Sequence, residues 1–271
     1  MGKIASALTI AGTDPTGGAG IQADLKTFQE LEVFGMSVQT SAVAQNTQGV
    51  KAVHDLPIDF IEQQLKAVIE DIKPNAIKTG MISTIEMMEL IATYVAKFDT
   101  PYVIDPVMVA TSGDALMDES SRKVIRDVLV PKATVVTPNI PEAEILVDFS
   151  IKGLDAMKKA AKVIVDELGA TAAVVKGGHL EGKAIDIFYD GSFHLLEADR
   201  FETKHTHGTG CTFSAAITAE LAKGKTILEA VQLGKTFITD AIRYPLNIGK
   251  GNGPTNHWGY RLQRLPNEGG K

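Results

Sequence analysis

Apolar residues recur along this chain in two rhythms that take turns from one end to the other. Short, nearly continuous apolar runs predict strands at residues 7–11, 36–44, 50–54, 76–79, 102–105, 134–137 and 172–176. Longer stretches, with apolar positions three and four apart, predict helices over 21–31, 57–71, 84–97, 118–129, 154–168, 210–223 and 226–244, with another starting at Pro141. Ile21, Leu25, Phe28 and Leu31 make one stripe on the first of these, and Thr84 stands where the third needs a cap. Two further runs, 185–189 and 193–196, flank Asp190-Gly191 and predict a hairpin closed by a type I′ turn. The glycine-rich tail from about Asn247 reads as loosely ordered.

Strand and helix in alternation build a mostly parallel sheet with helices on both faces, an α/β fold. The 271 residues show no internal repeat and no linker, which suits a single domain. Ligands of such sheets bind beyond the carboxyl ends of the strands. The unusual residues collect there: Gly12-Thr13-Asp14, Lys78-Thr79-Gly80-Met81, Asp105-Pro106-Val107-Met108, Thr137-Pro138-Asn139 and Lys176-Gly177-Gly178 all follow predicted strands.

Composition narrows the function class. A net charge of −6 gives no pull toward nucleic acid or an acidic membrane surface, and no apolar run reaches membrane-spanning length. The single cysteine excludes an intrachain disulfide and a cysteine-rich metal site, which suits a reducing cytoplasm.

The densest chemistry lies at His207-Gly208-Thr209-Gly210-Cys211. Glycines let the backbone turn tightly against a ligand, and the helix that follows points free N–H groups and its positive dipole end into the turn. This arrangement holds anions, phosphate above all. Cys211, in the first turn, is either a small buried hydrophobe or a thiol of lowered pKa that draws a proton from an attacking alcohol. The first glycine loop, 12–20, lacks both the dinucleotide spacing and the Gly-Lys-Ser/Thr ending, so it better suits a wall beside a small organic substrate. Asp24 could bond a substrate ring or simply favour its helix dipole.

Asn139 and Glu142 fit a helix capping box, and equally a phosphate contact and a magnesium ligand. Asp105 offers a second hard oxygen for Mg²⁺. Lys176 is a cation suited to nucleotide phosphates or a solvated turn lysine. Met81, Val107 and Met108 line a pocket or fill the core.

Taken together and in this order, Ala11 to Asp24, Ala44-Gln45-Asn46-Thr47, Lys78 to Met81, Asp105 to Met108, Thr137 to Glu142 and His207 to Cys211 resemble the hydroxymethylpyrimidine/phosphomethylpyrimidine kinase family of the ribokinase-like superfamily. The resemblance spans about residues 7 to 256. It implies a ribokinase-like fold and two ATP-dependent phosphorylations at one site, of a pyrimidine alcohol and then of its monophosphate. It implies that Gly12, Asp24, Gln45, Met81 and Val107 contact the pyrimidine. Asn139, Glu142 and Asp105 would organise Mg²⁺ and phosphate, and Lys176 would face ATP. Thr209 and Gly210 would offer N–H groups to the transferring phosphoryl. Most ribokinase-like enzymes carry aspartate where Cys211 stands. The family also implies a homodimer. Pyridoxal kinase is the near relative; Gln45, whose amide can pair with an aminopyrimidine edge, and the absence of cysteine from residues 109–114 favour the pyrimidine.

Overall fold

The structure, a computed structural model, describes residues 4–108, 118–178 and 183–263. The first apolar run forms β1 (Ser6–Ala11), buried along its whole length because parallel neighbours and helices cover both of its faces. The chain then winds through α1 (Gly20–Glu30), β2 (Phe34–Gln39), β3 (Ser41–Asn46), β4 (Gly49–Asp55), α2 (Ile58–Asp71), β5 (Ala76–Thr79), α3 (Ile85–Val95) and β6 (Tyr102–Ile104). After α4 (Glu119–Val124) come β7 (Val135–Val136), α5 (Ile140–Val147), α6 (Leu154–Asp166), β8 (Ala172–Val175), β9 (Ala184–Tyr189) and β10 (Phe193–Ala198). The long helices α7 (Thr209–Ala222) and α8 (Ile227–Arg243) and the single turn α9 (Gly259–Leu262) complete it.

The main sheet runs in the order β10-β9-β8-β7-β6-β5-β1-β2, and only β9 opposes its neighbours. One apolar layer, with Leu65, Met88, Ile91 and Ile164 at its centre, lies between the sheet and α2 to α6. A second, built around Phe28, Phe213, Ile217 and Phe237, joins the opposite face to α1, α7 and α8. This is the mostly parallel α/β sheet that the alternation predicts, in the ribokinase-like form that the resemblance implies.

Four local expectations change. The single strand expected over 36–44 breaks at Thr40, whose N–H bonds Ala11 and whose hydroxyl bonds the Met81 carbonyl. The second half leaves the sheet and pairs antiparallel with β4 as a separate two-stranded flap, and no local pattern marks that exit. The Asp190-Gly191 hairpin closes through three residues, not a two-residue type I′ turn, because only Gly191 takes positive φ. Helix α4 gives way at Ile125 to a wider π turn through Leu129. The tail is not loose through its described part: Gly253 to His257 are buried, and Asn256 is bonded to Ala241 and Tyr244.

Candidate active site

The carboxyl ends of β1, β5, β6, β7 and β8 open on one cavity of about 680 Å³, roofed on one side by the β3–β4 flap and floored by the start of α7. An isolated parallel bridge between Asn139 and Lys176 carries the β7–β8 ladder one step beyond the strands. That step places both side chains on the cavity wall.

Gly12, Gln45, Met81 and Val107 all line this cavity, with Gln45 contributed by the flap. A Cβ on Gly12 would lie 2.7 Å from Met81 Cε, so glycine keeps this wall thin. Gln45 follows a register shift between Ala44 and Gln45, and such a bulge re-aims a side chain. Met108, by contrast, is fully buried core. Residues 109–114, where the missing cysteine favours pyrimidine over pyridoxal, lie outside the described residues.

Asp24 is a correction. It is fully buried beneath the cavity and away from its wall, with both oxygens 2.8 Å from the Nζ of the equally buried Lys78 and one oxygen 2.6 Å from Thr9 Oγ1. Burial opposes the lysine's charge, but Asp24, Cys211 and Asp105 outweigh it and hold Lys78 above its ordinary pKa. Removing one partner of such a pair strands a buried charge. Asp24→Asn is therefore expected to cost about 3–5 kcal/mol in urea unfolding; a loss under about 1 kcal/mol would mean that the pair tolerates solvent.

At the opposite wall, Asn139 caps α5: its side chain accepts the Glu142 N–H at 2.9 Å, while Glu142 Oε2 accepts the Asn139 N–H at 2.8 Å. The capping box is real, and both residues still border the cavity. Burial pushes the Glu142 carboxyl up to about 7; Asp105 adds to the rise, and Lys176 and the Asn139 N–H work against it. Asp105 accepts from Lys176 Nζ at 3.2 Å, and a Cβ on Gly210 would come within 3.1 Å of its other oxygen. Burial works against the Lys176 charge, but Asp105 and Glu142 prevail and keep it a cation.

Gly208 caps α7 with φ +80°, a left-handed conformation, and the N–H groups of the first helical turn follow. Thr209 turns its N–H back to the Thr206 carbonyl at 3.3 Å, so Gly210 and Cys211, both on the cavity floor, become the better-placed donors. Cys211 overturns the expectation of an acidic thiol. Although part of its surface faces the cavity, burial pushes it up to about 12, aided by Asp24 and Asp105. Lys78 and the Gly20 N–H pull the other way without prevailing.

Two arrangements escaped the sequence reading, the Lys235–Asp186 pair and the Asp14–His207 contact. Lys235, in mid-helix α8, donates to Asp186 at 2.8 Å and to the Ala184 carbonyl at 3.0 Å. With Phe201, Ile238 and Ile242 they form the far end of the cavity. Asp14, in the first loop, gathers the N–H groups of Thr16, Gly18 and Ala19, the Thr16 hydroxyl and His207 Nε2. No local spacing links the two residues, because the histidine is 193 residues away. Burial alone would raise the Asp14 carboxyl, but His207 and Thr16 bring it down to about 2, against an ordinary 3.8. A depressed carboxyl stabilises the fold fully above its unfolded pKa and loses that contribution as pH falls through the folded one. Asp14→Asn should therefore lower stability by about 2 kcal/mol at pH 7 but by only about 0.4 kcal/mol at pH 2. Equal losses in urea titrations at both pH values would sink this assignment.

Comparison with known proteins identifies the family. The phosphomethylpyrimidine kinase family model matches residues 14–256. The chain is 50% identical over 258 residues to the hydroxymethylpyrimidine/phosphomethylpyrimidine kinase of Staphylococcus aureus (strain MSSA476), covering 94% of each. It superposes with a TM-score of 0.89 on an ADP complex of Bacillus subtilis pyridoxal kinase, 44% identical, covering 96% of this chain and all (100%) of that one. A phosphomethylpyrimidine kinase from Clostridium difficile 630 gives a TM-score of 0.79 at 44% identity, over 89% of this chain and 100% of that one. With its strand-end motifs gathered on one cavity and the family model matched across nearly its whole length, the chain belongs to the phosphomethylpyrimidine kinase family.

Proposed function

We propose that this protein is an ATP-dependent phosphotransferase acting on 4-amino-5-hydroxymethyl-2-methylpyrimidine and then on its monophosphate, in thiamine biosynthesis. The observation that carries this reading is the convergence of Gln45, the 208–211 turn, Lys176 and two carboxylates on a single cavity, within a chain of this family. The pyrimidine lies against Gly12, Met81 and Val107, with the Gln45 amide on its polar edge. ATP enters from the far end, past Phe201, Ile242 and Lys235, and its phosphates run toward Lys176 and the N–H groups of Gly210 and Cys211. The acceptor oxygen attacks the terminal phosphorus, the bond to ADP breaks, and in the first reaction the hydroxyl proton passes to the thiolate form of Cys211.

The donor set suits Mg²⁺. Asp105 and Glu142 are two nearby acids whose mutual repulsion a divalent cation would relieve. Among the described residues no cluster of three or more His, Cys, Asp or Glu could hold a metal. An ion held by few carboxylates, phosphates and water is the magnesium pattern. Bound there, it would neutralise charge on the phosphates. No helix among the described residues is long and apolar enough to cross a membrane. A thiol at Cys211 accords with the reducing cytoplasm, and the family resemblance carries a homodimer, which light scattering would check.

Pyridoxal is the second reading, favoured by the TM-score of 0.89 to a pyridoxal kinase. ATP turnover with hydroxymethylpyrimidine, its monophosphate and pyridoxal in parallel decides: equal or better efficiency with pyridoxal overturns the pyrimidine assignment. Gln45→Met separates the substrates further. It should lower kcat/KM for the pyrimidine ~10²-fold or more, since a site built around one polar group rejects poorly matched partners, and should affect pyridoxal much less. Parallel losses would make Gln45 structural.

A further inference from the structure

The cavity has two working ends that belong to distant parts of the chain. The acceptor wall comes from the 12–20 loop and the β3–β4 flap, and the phosphoryl turn comes from 206–211. One side-chain contact joins them directly: His207 Nε2 lies 2.8 Å from Asp14 Oδ2. The carboxylate is fully buried and can only accept, so Nε2 carries the proton and donates. Asp14 also organises the loop through three backbone N–H groups, and Lys26 Nζ ties the same loop at the Gly17 carbonyl, 2.6 Å away.

His207 is itself braced from behind. Its N–H donates to the Gly253 carbonyl at 3.0 Å, and its carbonyl accepts the Thr255 N–H at 3.1 Å. Thr255 and His257 in turn reach the Thr212 hydroxyl, at 3.3 and 3.2 Å, one residue beyond Cys211. The same segment grips the flap, because Thr47 Oγ1 accepts the N–H groups of Lys250 and Gly251 at 3.2 and 3.1 Å. Thr47 is two residues from Gln45 on that flap.

We propose that the Asp14–His207 contact, braced by residues 249–257, is a positioning device that sets how closely the acceptor oxygen meets the transferring phosphoryl group. It rests on the phosphotransfer reading above. Neither side chain takes part in the chemistry; the device acts by holding the Gly20 side of the wall over Cys211, whose thiol accepts the Gly20 N–H. A misplacement of about 1 Å is worth up to ~10² in rate, so a loosened clamp slows transfer without weakening ATP binding. It also admits water to the phosphoryl group.

The test compares wild type with His207→Ala, His207→Gln and Thr47→Val, measuring kcat, both KM values, the melting midpoint and ATP consumed per acceptor phosphorylated. His207→Ala should lower kcat ~10–10²-fold, leave KM for ATP nearly unchanged and raise the ATP consumed per product above one. His207→Gln, whose amide can still donate to Asp14, should recover much of both. Thr47→Val should shift the ATP-to-product ratio in the same direction by less, and it decides the matter if His207→Ala does not fold. A ratio that stays at one in every folded variant overturns the proposal, as does a fall in kcat that merely follows the melting midpoint. Wild type that phosphorylates no acceptor would instead overturn the phosphotransfer reading.

Discussion

Cys211→Ala should lower kcat by ~10²-fold or more, the usual size of a lost general base. The effect should carry a distinctive pH dependence. Burial holds this thiol up to about 12, so at neutral pH it is protonated in the free protein. A group of that pKa is ionised only as pH approaches it from below, so its usefulness as a base grows with pH. The kcat/KM of the wild type for the pyrimidine alcohol, which reports the free protein's ionisations, should thus climb from pH 7 to 10 without the plateau near 8.5 that an ordinary thiol would give, and Cys211→Ala should flatten that climb. As Cys211 is the only cysteine in the chain, its alkylation in the ligand-free protein reports on it alone. Alkylation should be slow at pH 8 and still rising at pH 10. Near-wild-type kcat in Cys211→Ala removes the residue from the reaction. Lys78 is the counterweight: its buried charge lies where it favours a thiolate, and it is the largest influence pulling the Cys211 pKa down.

Gly208→Ala is expected to be as severe. Gly208 sits at φ +80°, and a Cβ there would fall inside the Gly18 carbonyl oxygen and against Ala19. The left-handed conformation alone costs an alanine about 1 kcal/mol or more. The clash is with backbone, so no side chain can swing aside. Either the phosphoryl turn or the first loop must move, and the distance between them is the one that alignment depends on. The expectation is a kcat lower by ~10²-fold or more with a melting midpoint several degrees lower. A variant that keeps wild-type kcat would mean that the turn does not set the geometry of transfer.

Much of the site was legible because its parts obey local rules. Gly208, Asn139 with Glu142, and Thr84 occupy helix starts that their neighbours specify, and each start forms at, or within one residue of, the place the sequence assigns it. The rest depends on contacts between distant segments. Asp24 and Gln45 both read as substrate contacts, yet one meets Lys78 beneath the floor and the other is turned into the cavity by a bulge. The partner of Asp24 is 54 residues away, and no spacing rule connects them. The tail was misjudged for the same reason: glycine-rich composition describes a chain without neighbours, whereas residues 253–257 are held by α7, α8 and His207.

By itself the sequence determined the alternating elements, the parallel sheet and the edge at which the motifs collect, because periodicity and capping act over a few residues. Only the tertiary structure decided which of those motifs touch the cavity, where the flap leaves the sheet and what the thiol's acidity is. Burial, register and charge pairing belong to whatever packs from elsewhere in the chain. The turn from Gly208 to Cys211 shows both sides: its anion-binding shape is local, and the high pKa of its cysteine is imposed by what surrounds it.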